Sequence, residues 1–356
     1  MTVPRLLRDI TSQPESLACV LRRHSGEGRE TLRHAAFLAR SARRVVITGM
    51  GASLYAATPF YYRLAALGLD ATIVESGELL HYLRDLCKDA VAIAVSRSGE
   101  SVEIAKLIPA LRQLGCLTIG VTNDAESSLA RAAECALAIG SLPDEMVAIQ
   151  SYTGTLLSLH LLAGDVGGDF AAARDEAERL IAALPEYISA SVQALSEWDR
   201  FLDPSAAVHL LARGPSSASA SEGALLFGET AKAAAFGMHA ASFRHGPVEL
   251  VDSRFRGLIF APPGRTRSLN LALARDLLRF GGQVRVIGAP GEDTDGLPLV
   301  PAPAAGEYLA PLAEIVPVQI AALRLAQLKG LTAGAFRYAP QITRDEGTFA
   351  PVPSAT

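Results

Sequence analysis

The residues best suited to chemistry stand in one stretch, AVSRSGES, Ala94 to Ser101. Three serines surround a glycine where an apolar run, VAIAV, gives way to a helical segment, VEIAKLIPALRQLG. A helix that starts there presents its first N–H groups, which lack intrahelical partners, at the positive end of its dipole. That geometry suits an anion. Ser96, Ser98 and Ser101 can each donate a hydroxyl hydrogen bond to a phosphate oxygen, and Gly99 lets the backbone approach one closely. Helix capping by Ser96 or Ser98 is the plainer alternative. It accounts for one serine, not for three around a glycine.

A second stretch, GMGAS (49–53), ends another apolar run and puts Ser53 at a neighbouring helix N-terminus. The same string admits a dinucleotide reading. Gly49 and Gly51 form GxG, and Glu75 ends the next strand, where a ribose-binding acid would stand. Leu54 occupies the place of the third glycine, which argues against a nicotinamide or flavin enzyme. No metal or cofactor is expected.

Parallel sheets must position both stretches. RRVVITGMG (43–51), ATIVES (71–76), AVAIAVS (90–96), LTIGVTN (117–123) and CALAIG (135–140) are short β-rich runs separated by helical segments. That alternation predicts βαβ units and an α/β fold, a parallel sheet covered by helices on both faces. In such sheets ligands bind beyond the carboxyl ends of the strands, where Ser96–Ser101 falls. AAVHLLARG (206–214) repeats the pattern of RRVVITGMG, with a serine-rich turn and a helix after it, followed by RGLIFAPP (256–263), QVRVIGAP (283–290) and the apolar segment 306–330. This predicts a tandem duplication. The amphipathic stretch 169–204 between the copies reads as a helix pair broken at Pro185. The expected organisation is a helical segment over 1–30, one domain over 31–190 and a second over 191–356.

The 356 residues are 49% apolar and carry a formal net charge of −4 with both signs interspersed. Full cores can form, and no basic face calls for nucleic acid. Four scattered cysteines, at 19, 87, 116 and 135, predict neither a disulfide framework nor a zinc site and fit a reduced cytoplasm. The opening MTVPRLLRDITSQPESL lacks the apolar core of a signal peptide, and apolar runs stop short of the roughly 20 residues a membrane span needs.

SRSGES, the segment EMVAIQSYTGTLLSL (145–159) and above all SEGALLFGETAKAAAFGMHAASFRHGP (221–247) resemble the tandem sugar isomerase (SIS) domain family. The resemblance runs from LLRDITSQP to ITRDE. It is strongest to the isomerase half of glucosamine-6-phosphate synthase, with relatives among amino-sugar phosphate deaminases and fructosamine-phosphate deglycases. It implies two SIS domains, each with a flavodoxin- or Rossmann-like parallel sheet. It implies that Ser53, Ser96, the backbone of Arg97, Ser98 and Ser101 hold a sugar phosphate. It implies that Glu229 moves a proton between C1 and C2, and that His245 opens the ring from a neighbouring subunit of a homodimer. Carboxylate and imidazole suit those tasks. His209 on VHLLA reads as a core histidine, His239 as a neighbour without a role, and Glu222 as helix support.

Two departures bear on the reaction. No cysteine follows Met1 and no glutaminase-like segment precedes the pair, so a glutamine-independent reaction is expected. Alignment of ITRDE puts Pro340 or Gln341 where the synthase carries its imine-forming lysine. Arg337 and Arg344 nearby stay protonated and cannot replace it. The sequence therefore points to a phosphosugar isomerase, deaminase or deglycase. A non-catalytic sugar-phosphate sensor is the alternative.

Overall fold

The computed structural model describes residues 4–338 and 342–347. The chain divides into two compact units, each built on one five-stranded sheet. The first sheet belongs to a unit of Glu15–Asp144, Ala148–Asp175 and the chain from Ala335; the second belongs to a unit of the chain up to Pro14, Glu145–Val147 and Glu176–Gly334.

In the first unit β1 (Val45–Gly49), β2 (Ala71–Glu75), β3 (Val91–Val95), β4 (Leu117–Thr122) and β5 (Cys135–Ala138) lie in the order β2-β1-β3-β4-β5. All pairs are parallel. β1 and β3 are buried along their whole length, as continuous Val/Ile/Ala runs predict for central parallel strands. The helix Val102–Gln113 follows β3 and buries Ile104, Leu107, Ile108 and Leu111, a helical stripe that packs in part on Ala94. The helix Gln150–Gly167 is buried on almost every side and forms the core helix of this unit.

In the second unit β6 (Val208–Ala212), β7 (Ala235–His239), β8 (Arg256–Phe260), β9 (Gln283–Gly288) and β10 (Leu299–Pro301) lie in the order β10-β9-β8-β6-β7, again all parallel. Read from its second strand, this is the topology of the first sheet, so the duplication expected from the sequence is present as two parallel α/β sheets. β7 and β10 are not among the runs read from the sequence. The segment 306–330 contributes the helix Pro311–Leu328. That helix is long and apolar enough to cross a membrane, yet 83% of it is buried inside the protein. It is a core helix, the counterpart of Gln150–Gly167.

The stretch between the copies departs from expectation. Phe170–Gln193 is one uninterrupted helix of 24 residues with Pro185 inside it. The expected break at Pro185 is absent: proline, which has no N–H to give the ladder, is carried here without ending the helix.

Candidate active site

The first sheet reverses its strand order between β1 and β3. A crevice outside the carboxyl ends of the strands forms at such a point. The two loops singled out by chemistry leave the sheet there side by side. Gly49 and Val95 are register partners, and a Cβ on Gly49 would lie 2.9 Å from the Val95 carbonyl oxygen and 3.1 Å from Leu54 N. Glycine thus lets the β1 turn lie against β3. Gly51, at φ +49°, begins the helix Ala52–Ala66, and no side chain caps it. Ser53 stands half-buried in that first turn.

The loop after β3 is tied from within. Ser96 is buried, and its amide donates to the Val121 carbonyl at 3.0 Å. Ser96 Oγ accepts the Gly99 N–H at 3.1 Å, and Ser98 Oγ accepts the Glu100 N–H at 3.2 Å. Ser101 is the N-cap of Val102–Gln113 but makes no capping bond; its Oγ lies 3.4 Å from Ser96 Oγ. A hydroxyl that accepts an amide proton keeps its own proton to donate. Ser98 therefore still has a proton to donate to an oxyanion, and so does one of Ser96 and Ser101, whose hydroxyls share one proton between them.

The loop's one acid is turned aside. The Glu100 carboxylate accepts the Ser128 N–H at 2.6 Å and the Ser128 hydroxyl at 3.0 Å. The Ser128 backbone bond, first among several causes, holds its pKa below the usual carboxylate value. Arg97 points its guanidinium to Asp144, 3.8 Å away, whose side chain is fully buried, while its carbonyl accepts from Asn123 N and Thr122 Oγ1. The tail reaches the same helix end: the Thr343 carbonyl accepts the Val102 N–H at 3.0 Å, and Glu346 pairs with His81 and Lys106 at 3.2 and 2.5 Å.

Gly99 has a structural reason beside the one expected. Its φ is +63°, and a Cβ there would fall 2.2 Å from Ser127 Oγ. Glycine is required there for the left-handed turn and the packing on Ser127.

Asp144 was not singled out from the sequence. It accepts the N–H groups of Ile149, Gln150 and Ser151 at 3.1, 2.7 and 3.4 Å, together with the Ser151 hydroxyl. Burial lifts its pKa against these donors and Arg97. The signal in the sequence was an aspartate shortly before a helix start, displaced from the cap position by five residues of loop. Gln150 and Ser151 are both buried beside it.

Glu229 and His245 both lie in the second unit, on elements from opposite faces of its sheet. Glu229 is half-buried in the last turn of the helix Ser217–Ala231. That helix packs on the face carrying Leu210, which a Cβ on Gly223 would meet at 2.4 Å. His245 follows the short helix Ala240–Phe243, whose Phe243 lies 6.2 Å from the His209 ring on the other face. His245 is exposed, its N–H bonded to the Ser242 carbonyl, and Gly246 after it takes φ +126°. Lys232 Nζ donates to the Glu229 carbonyl and Lys329 Nζ to the Lys232 carbonyl, where cations suit a helix C-terminus. Pro340 and Gln341, aligned with the synthase lysine, lie outside the described residues.

His209 is the core residue expected. It is buried and stacked on Phe255 and Phe236 at 4.8 and 5.4 Å, and burial lowers its pKa. His239 is exposed at the end of β7, and Glu222 is buried in its helix.

A family model for the SIS domain matches residues 38–164 and 202–294. The chain is 29% identical over 337 residues to the isomerizing glutamine–fructose-6-phosphate aminotransferase of Pyrococcus horikoshii, covering 91% of this chain and 55% of that protein. It thus spans about half the length of the curated relatives it matches. Among solved structures, tagatose-6-phosphate ketose/aldose isomerase of Escherichia coli superposes with a TM-score of 0.78 at 22% identity, over 92% of this chain and 95% of that one. Glucosamine-6-phosphate deaminase of Thermotoga maritima superposes with a TM-score of 0.75 at 20% identity, over 95% and 99%. At these identities the structures share the fold.

Proposed function

The chain belongs to the SIS-domain family, and from that premise we propose that it is an enzyme acting on a phosphorylated amino- or ketosugar, as an aldose–ketose isomerase, a deaminase or a deglycase. The carrying observation is the Ser96–Ser101 loop at the β1/β3 reversal, with three serine hydroxyls gathered on it and its only acid turned onto Ser128. Ser53, Ser96, the Arg97 backbone, Ser98 and Ser101 hold the phosphate in this reading. Glu229 carries a proton between C1 and C2, through an enediol or enolamine, without covalent attachment. His245 assists ring opening, and it acts on the site of a second copy in a cytoplasmic homodimer. Placement of Glu229 and His245 on opposite faces of one sheet supports their acting in sites completed by a partner. Engagement of Lys232 and Lys329 with helix-end carbonyls supports a reaction without a lysine imine. A substrate that already bears an amine brings its own imine chemistry, which favours deamination, deglycation or isomerisation over transfer of an amine to a free ketose.

A second reading, a sugar-phosphate sensor, is favoured by the exposure of His245. Incubation with a panel of sugar phosphates and amino-sugar phosphates, following ammonia, amine and ketose, separates the two. Turnover of any member supports the enzyme; tight binding without turnover across the panel supports the sensor.

A further inference from the structure

The second sheet also reverses its strand order, between β6 and β8, so it offers a crevice of the same kind. The segment after β6, Arg213–Ser219, a turn running into the helix Ser217–Ala231, carries three serines, and the loop after β8 carries Gly264 ahead of the helix Arg267–Arg279. Each loop holds a carboxylate of the chain itself. Ser216 Oγ and Ser219 Oγ donate to the two oxygens of Glu314 at 2.9 and 2.7 Å, and Glu314 is buried. Gly264 takes φ +149°, and a Cβ there would fall 2.2 Å from Glu307 Oε1. That same oxygen accepts the Arg265 N–H, and the Arg265 guanidinium stands 3.8 Å from Oε2. Paired hydroxyls on one loop, and an amide with an arginine on the other, are donor sets that a phosphate group also uses.

Both glutamates come from one run, GEYLAPLAE (306–314), leading into the core helix Pro311–Leu328. The first unit differs at the corresponding place. Its carboxylate ahead of Gln150–Gly167 is Asp144, which is turned onto the start of that helix. Among the described residues, the hydroxyls of Ser96, Ser98 and Ser101 meet backbone amides and each other, but no carboxylate.

We propose that Glu307 and Glu314 stand in for a bound oxyanion, close the second crevice to phosphorylated ligands, and leave each chain with one phosphosugar site, on its first sheet. The count of one rests on the function proposed above; the closure of the second crevice does not. A cavity of about 390 Å3 is lined by Glu176, Arg179, Pro263 and residues 303–306 among others, so its lining includes the chain neighbours of Gly264 and Glu307. Removal of the Glu307 side chain empties the space beside Gly264 that its carboxylate fills.

The test soaks crystals of the wild type, Glu307→Ala and Glu307→Gln in arsenate and locates the arsenic by anomalous scattering. The expected result is arsenic at Ser96–Ser101 in all three and at Gly264–Thr266 in Glu307→Ala alone, because the carboxamide still fills the space. Arsenic at Gly264 in the wild type, or none there in Glu307→Ala, overturns the proposal. Arsenic gained at Gly264 with an empty Ser96–Ser101 loop upholds the closure and sinks the phosphosugar reading. Should Glu307→Ala fail to fold, equilibrium dialysis of labelled phosphate against the wild type and Glu307→Gln reads the same claim. One phosphate per chain in both upholds it, and two in either contradicts it.

Discussion

The Arg97 guanidinium lies 3.8 Å from Asp144, whose side chain is fully buried and which also receives three backbone N–H groups at the start of Gln150–Gly167. One carboxylate thus ties the Ser96–Ser101 loop to the core helix of its unit. Asp144→Ala strands those donors and the Arg97 charge. It should cost about 2 kcal/mol or more, the scale of a lost cap with buried polar groups left unpaired. Urea denaturation checks this; an unchanged midpoint contradicts it.

His24 is buried, with Nε2 2.9 Å from Ser158 Oγ, and burial pushes its pKa down to about 4. The fold therefore holds the neutral ring, while the unfolded chain protonates near 6.5. The stability this provides is complete above pH 6.5 and is lost as pH falls toward 4, about 3 kcal/mol in all. His24→Gln should flatten the acid limb of stability against pH. A variant as acid-sensitive as the wild type would refute the assignment.

Glu314 has the opposite sign. Burial pushes its pKa up to about 7, against the two serine hydroxyls. A raised carboxyl pKa gives stability that is complete below the unfolded value near 4.5 and is lost as pH rises through 7, again about 3 kcal/mol. Glu314→Gln should hold its stability from pH 5 to 8 better than the wild type does. The two effects partly offset each other in the wild type, so only the single variants reveal them.

These carboxylates also mark where the sequence stopped being legible. β1 and β3 were readable because five consecutive buried residues leave an unbroken apolar run, and the serines stood out because their number exceeded what capping needs. β7 was not readable: it is an edge strand with Phe236, Gly237 and His239 exposed, so burial never patterned it. β10 is three residues ending in proline. Pro185 misled because a proline inside a long helix can be carried by the packing around it. Glu307 and Glu314 were invisible for another reason. Glu307 meets Arg265 across 42 positions, and Glu314 meets Ser216 across 98, and no local spacing encodes such a pairing.

Glu229→Gln keeps the shape and removes the base. Turnover of the phosphosugar substrate should fall by about two orders of magnitude, the usual scale for losing a general base, with binding nearly intact. Borohydride added during turnover should trap no adduct on Lys232 or Lys329. Wild-type turnover by the variant, or a reduced adduct on either lysine, contradicts the mechanism.

If His245 serves a neighbour's site, Glu229→Gln and His245→Ala should complement each other. Mixed dimers would hold one intact site and one doubly altered site, so a random mixture should recover about a quarter of wild-type activity. Two inactive variants that stay inactive after unfolding and refolding together would place His245 outside the shared site.

The central claim is that the Ser96–Ser101 loop holds a phosphate, and titration of the Ser98→Ala, Ser101→Ala double variant tests it most directly. Ser98 also accepts the Glu100 N–H, whereas Ser101 makes no capping bond, so loss of both hydroxyls should leave the fold intact. Two hydrogen bonds to a charged group, each worth about 1.5–3 kcal/mol, should vanish. Calorimetry with whichever phosphosugar binds the wild type should then show affinity at least tenfold weaker at an unchanged melting temperature. Equal affinity in the variant and the wild type would contradict the phosphate cradle, and with it the site on which the proposed function stands.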